Sequence, residues 1–198
     1  MRFLKTMILF FVVFLLVGMF AFSAEINWGI KAAPTFTALT GSLEDPIDYS
    51  NEEGMGFVFG AYGRVSTDDG ILSIQPELLL SHVRSHIFLE FPLDDIDLSL
   101  WYLELPVMFR AAFPLPLDGY YAPFVIGGPK VGVKLSDNVA DDGIYINTLE
   151  FAVVFGFGMD FGDHSVEVRY ARDIRKIHGG VRKDVVSIFY SRNFGKSG

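Results

Sequence analysis

Beyond residue 24 the apolar positions of the chain recur at every second residue, the mark of strands with two unlike faces. The clearest run sets Leu149, Phe151, Val153, Phe155, Phe157, Met159 and Phe161 on one side, and Thr148, Glu150, Ala152, Val154, Gly156, Gly158 and Asp160 on the other. The same alternation places Leu72, Ile74, Pro76, Leu78 and Leu80 against Ser73, Gln75, Glu77, Leu79 and Ser81. It also places Val186, Ile188, Tyr190 and Phe194 against Ser187, Phe189, Ser191 and Asn193. Arg192 interrupts the apolar side of that last run, where a long cation can snorkel to an interface.

Eight such runs are expected, beginning near Ile26, Gly56, Ile71, Asp97, Tyr121, Ile146, Ser165 and Asp184. Each covers about 9–14 residues, longer than the ~5–6 of soluble strands and close to the ~9–11 that cross a bilayer at a tilt. No stretch between them carries a 3.6-residue period. Long connections alternate with short ones: Thr37–Met55, Arg84–Ile96, Leu135–Tyr145 and Arg172–Lys183 are long, whereas Thr67–Gly70, Ala111–Gly119 and Gly162–His164 are shorter. An up-and-down antiparallel meander with long loops at one end and tight turns at the other is the plan of an all-β transmembrane barrel. Its strands close so that no unpaired edge meets lipid. An even strand count puts both termini on the short-turn, periplasmic side.

The two faces still have to be assigned. A soluble eight-stranded barrel such as a lipocalin buries its apolar face inside, and a membrane barrel reverses this. In the sixth run, the side carrying Ala152, Gly156 and Gly158 suits a narrow lumen, whereas the side carrying four phenylalanines would overfill one. The minority faces elsewhere hold Arg64, Gln75, Glu77, Glu104, Arg110, Lys130, Glu150, Glu167 and Arg169. Both signs are present, so these residues are expected to pair as a structural polar core, because an unpaired charge in a small lumen is costly. A hairpin symmetric about residue 140 would set Lys130 opposite Glu150. Trp28, Trp101, Phe109, Tyr121, Phe161, Tyr170, Tyr190 and Phe194 lie near strand ends, as interfacial girdles require.

The N-terminus adds an address. Arg2 and Lys5 precede an apolar stretch from Met7 to Phe20, followed by the small residues Ala21, Ser23 and Ala24. This is the form of a secretory signal cleaved after Ser23, giving a leader over 1–23 and a barrel domain over 24–198. The stretch is short for the ~20 residues a spanning helix needs. Of 198 residues 51% are hydrophobic and none is cysteine, which excludes a disordered chain and a disulfide framework. The formal net charge of −8 excludes the phosphate backbone as a partner, since binding nucleic acid is dominated by cation-driven counterion release.

Several phrases carry a family resemblance: SIQPELLLS (Ser73 to Ser81), WYLELPVMF (Trp101 to Phe109) and APFVIGGPKVGV (Ala122 to Val133), followed by EFAVVFGFGMDF and VEVRYA. In these the chain resembles the PorT-like family of outer-membrane β-barrels, also labelled porin-family proteins. The resemblance implies an eight-stranded barrel in the outer membrane of a diderm bacterium, with outer-membrane lipid and the barrel-insertion machinery as partners. It implies neither a solute pore nor a catalytic residue. In one respect the chain departs from such barrels, which often end on an aromatic residue: here Phe194 is followed by Gly195, Lys196, Ser197 and Gly198.

Other chemistry is sparse. His82 and His86 are four apart but lie where a strand enters a loop, and they are read with His164 and His178 as surface histidines. Gly195-Lys196-Ser197 lacks the upstream glycine of a phosphate loop, and Gly127-Gly128-Pro129 reads as a bulge or close-packing site. The loops are asymmetric. Glu44, Asp45, Asp48, Glu52 and Glu53 make the first acidic, Glu90, Asp94 and Asp95 the second, and Asp137, Asp141 and Asp142 the third. Arg172, Arg175, Lys176, Arg182 and Lys183 make the fourth basic. Closure would bring the basic loop beside the acidic first loop. Alternatively, the acidic loops could take a divalent cation or the basic loop an anionic lipopolysaccharide group, or all could be plain solvated surface. The expectation is a non-enzymatic envelope protein of structural or interaction type, without cofactor or metal. A narrow channel or small-ligand binder is the alternative, and an outer-membrane hydrolase or acyltransferase comes third.

Overall fold

A computed structural model describes residues 25–40, 53–87, 96–113, 115, 121–137, 148–174 and 182–195. The expected leader and most of the charged loop residues lie outside the described residues. The eight strands are β1 (Glu25–Thr40), β2 (Glu53–Ser66), β3 (Leu72–Ile87), β4 (Ile96–Ala112), β5 (Tyr121–Asp137), β6 (Leu149–Phe161), β7 (His164–Asp173) and β8 (Arg182–Asn193). Each pairs antiparallel with the next, and β8 returns to β1 through pairs such as Ile30 with Arg192, so the sheet is a closed barrel.

Strand number, order and direction follow the alternation in the sequence. The strands are longer than expected, reaching 17 residues in β4 and β5. The ladder of β3 and β4 continues to Ile87 opposite Ile96, past the apolar band. Backbone pairing there does not need apolar side chains, so periodicity marks only the part of each strand that meets lipid or packed lumen.

Two turns depend on glycine. Gly70, at φ 67°, and Gly162, at φ 61°, take the left-handed conformation that a side chain disfavours. In the first turn the Thr67 N–H donates to the Leu72 carbonyl at 2.9 Å, and the Asp69 carboxylate accepts the Ile71 N–H at 2.9 Å.

The faces divide as a membrane barrel requires. Phe155 and Phe157 are 62% and 63% exposed on the outer wall, while Ala152 and Val154 of the same strand are buried inside. The lipocalin arrangement is thereby excluded. Two apolar clusters line the lumen: Met108, Ala112, Phe124, Ile126 and Val154, and across from them Ala33, Val58, Leu79 and Phe189. The lumen is narrow enough that a Cβ on Gly158 would collide with the Phe124 ring and the Val166 carbonyl. A Cβ on Gly128 would strike the Val107 carbonyl and the Met108 backbone, so this glycine lets β4 and β5 approach closely.

One register differs from expectation. Lys130 stands opposite Ala152, and Glu150 opposite Gly132, because the β5–β6 hairpin is centred one residue later than residue 140. The two side chains still meet, since diagonal neighbours on one face lie within reach of long side chains.

Candidate functional site

The strands aim their minority side chains at one another across the lumen, and an ionic lattice results. In the lower layer Glu77 of β3 is the hub. It accepts two hydrogen bonds from the Arg169 guanidinium of β7, at 2.7 and 2.6 Å, and one from Lys31 Nζ of β1 at 3.0 Å. Lys31 also donates to Glu167 at 2.6 Å, and Arg169 lies 2.8 Å from the same carboxylate. Gln75 donates to Glu77 at 2.6 Å and accepts from Arg64 Nε at 2.9 Å, which ties the hub to a group near the short turns. There Asp160 pairs with Arg110 and lies 3.9 Å from Arg64.

A second layer lies toward the long loops. Lys130 of β5 bridges Glu104 at 3.1 Å and Glu150 at 3.0 Å, Lys183 of β8 donates to Glu150 at 2.6 Å, and Ser81 donates to Glu104 at 2.9 Å. Aromatic faces take the remaining sides of several cations. Lys31 lies 4.9 Å from the Phe189 ring, Arg169 4.7 Å from the same ring, Arg110 4.0 Å from Phe124 and Lys183 4.7 Å from Tyr102. Burial removes water from most members, with Arg64 and Asp160 near the short turns only part-buried. Bidentate pairing and shared oxygens return many of the lost hydrogen bonds, although Arg110 Nε, Arg169 Nε and Asp160 Oδ1 have no hydrogen-bond partner among the described residues.

A cavity of about 40 Å³ remains between the layers, lined by Thr35, Leu79, Glu104, Lys130, Lys183 and Phe189 among others. That is the volume of a few waters rather than of a metabolite or hydrated ion. Thr35 Oγ1 is buried there with no hydrogen-bond partner among the described residues.

All nine residues singled out by parity lie on lumen-facing positions of their strands and fall into these contacts. Sequence reasoning missed Lys31 and Lys183, and it put Asp160 on the inner face without adding it to the polar core; buried Asp173 was also passed over. Lys31 was legible: it shares parity with Asn27 and Gly29, opposite Trp28, Ile30 and Ala32. Lys183, assigned above to a basic loop, is instead the second residue of β8 and is buried against Glu150. Arg172, assigned to the same loop, is on the outer side of β7, 3.8 Å from Asp184. The other loop charges named above lie outside the described residues, or lie in strands with only their backbone described.

The histidines separate. His82 is no surface residue: it is buried on the outer wall between Phe57 and Trp101, at ring separations of 5.2 and 4.6 Å, with Nε2 2.9 Å from the Ser99 hydroxyl. Flanking aromatics cover it, a cross-strand effect that its own spacing does not reveal. His164 is on the outer wall at the short-turn rim beside Tyr190. The side chain of His86 and all of His178 lie outside the described residues. Among the described residues no group of three or more His, Cys, Asp or Glu could hold a metal ion.

Exposed aromatics gather at the same rim, with Trp28 against Phe194 at 4.9 Å and Tyr121 against Phe161 at 5.8 Å. An apolar outer wall, a rim of aromatics and a charged, filled interior define an eight-stranded transmembrane β-barrel. The chain matches the family described as "Outer membrane protein beta-barrel domain" over residues 20–179; it belongs to that family and lies in the outer membrane.

A solved structure agrees on the fold. The crystal structure of Neisserial surface protein A (NspA) superimposes with a TM-score of 0.51 at 12% identity, covering 83% of this chain and 96% of that one. Ail, the attachment invasion locus protein of Yersinia pestis, crystallised with the heparin analogue sucrose octasulfate, gives 0.46 at 13%, covering 86% and 99%. The outer membrane enzyme PagL gives 0.46 at 17%, covering 80% and 98%. No curated protein sequence matches the chain.

Proposed function

We propose that the protein is a non-enzymatic barrel with a structural or interaction role in the cell envelope, of the PorT-like kind, delivered by a cleaved leader and placed by the barrel-insertion machinery. The observation that carries this reading is the Glu77–Arg169 bridge between β3 and β7 together with the Lys130 and Lys183 contacts above it. They fill the lumen from wall to wall. A solute would have to break several buried ion pairs, each costing several kcal/mol when one partner is removed. The five phrases quoted above support the PorT-like affiliation. The lumen ions read as structural because each charge in the contacts described above is matched to an opposite charge across or along the barrel. Planar-bilayer recording tests the reading: inserted barrels should give no steady channel. Steady conductance from every inserted molecule would instead establish the runner-up, a narrow pore.

A further inference from the structure

The outer wall at the short-turn rim carries a cluster that the lumen does not use. Arg192 of β8 points outward and is exposed, standing between Ile30 of β1 and His164 of β7. Among the described residues it has no ion pair; its guanidinium lies 5.6 Å from the Phe194 ring. Phe194 in turn packs on Trp28 at 4.9 Å. On the other side Tyr190 and His164 stack at 5.7 Å, with the Tyr190 hydroxyl 2.7 Å from His164 Nδ1. With that hydroxyl donating, the ring hydrogen sits on Nε2, leaving a second donor within the cluster.

We propose that this cluster binds the phosphate headgroup of an anionic phospholipid in the inner leaflet. The location supplies the partner. Short turns face the periplasm, so this rim lies at the headgroup level of the periplasmic leaflet. A cation placed there on an apolar wall with no counter-ion among the described residues calls for an anion from outside, and a lipid phosphate is the anion at that depth. Arg192 and the His164 ring supply donors, and Trp28, Tyr190 and Phe194 form the platform beside the first acyl carbons. Asp163, the acidic residue next to His164, has no ion pair with either donor among the described residues.

The test uses the protein folded in phosphatidylcholine vesicles carrying a minority of brominated lipid, with Trp101→Phe so that Trp28 alone reports. Brominated phosphatidylglycerol should quench Trp28 as if enriched about threefold to fivefold over brominated phosphatidylcholine of the same acyl chains, the scale of one interfacial charge contact. Arg192→Gln should abolish the enrichment and Arg192→Lys should keep most of it, each variant first shown to retain its folded gel mobility. Equal quenching by the two headgroups in the parent protein would overturn the proposal, even if Arg192→Gln fails to fold. So would an enrichment unchanged in Arg192→Gln, or one removed by millimolar inorganic phosphate, which would mark a site for the free ion.

Discussion

Arg169 clasps Glu77 with two near-parallel hydrogen bonds of 2.7 and 2.6 Å, and the strands that carry them stand four apart in a ring of eight. The contact therefore spans the full diameter of the lumen, and Lys31 locks it from a third direction at 3.0 Å. Glu77→Ala leaves two buried cations competing for Glu167 alone. It should destabilise the barrel by about 3–5 kcal/mol. Urea unfolding in micelles, followed by the gel shift between folded and boiled forms, measures this; a loss under about 1 kcal/mol would mean that water replaces the carboxylate freely.

The upper layer allows a cleaner dissection. Among the described residues Lys130→Met leaves Glu104 with Ser81, while Glu104→Gln leaves Lys130 with Glu150. In the double variant Glu150 keeps Lys183. The pair should couple by about 1–3 kcal/mol in a double-mutant cycle, the double variant being more stable than the sum of the single losses implies. Strict additivity would show that the two groups do not sense each other.

Depth along the outer wall sets another cost. Phe157, mid-strand in β6 and 63% exposed, faces hydrocarbon, whereas Ile26 is the second residue of β1, at the rim. Phe157→Arg should cost about 2–4 kcal/mol and Ile26→Arg at most about 1 kcal/mol, read from reversible folding into vesicles. Equal costs would remove the membrane from the argument.

The β2–β3 turn gives a pH effect. The hydrogen bond from the Thr67 hydroxyl, then that from the Ile71 N–H, holds the Asp69 carboxyl below its ordinary range. A carboxylate with a depressed folded pKa stabilises above its unfolded value and loses that contribution as pH falls through the folded one. The parent's unfolding midpoint should thus fall more than that of Asp69→Asn between about pH 6 and about pH 2. Parallel pH curves for the two proteins would refute the role of Asp69.

Much of this was legible in the chain because a period of two is a direct image of a wall with lipid on one side. Phe151 to Phe161 declare the outer face of β6, and Glu150 and Gly156 its inner face. What parity could not supply is distance around the ring. Glu77 and Arg169 are far apart in sequence, and only closure makes them neighbours. Nor could it separate a loop charge from a lumen charge at a strand's mouth, which is why Lys183 was misassigned. His82 escaped for a related reason: its cover comes from Phe57 and Trp101 on adjoining strands.

The seam between β1 and β8 governs how such a chain can assemble. Ile30 finds Arg192, and Lys31 finds Glu167, only after nearly the whole sequence has emerged, so the first strand must wait with a bare edge while the others are made. Contacts this remote impose a heavy loop-closure entropy and slow folding. Zippering from one end cannot finish the cylinder; a late, concerted docking of its two outermost staves must.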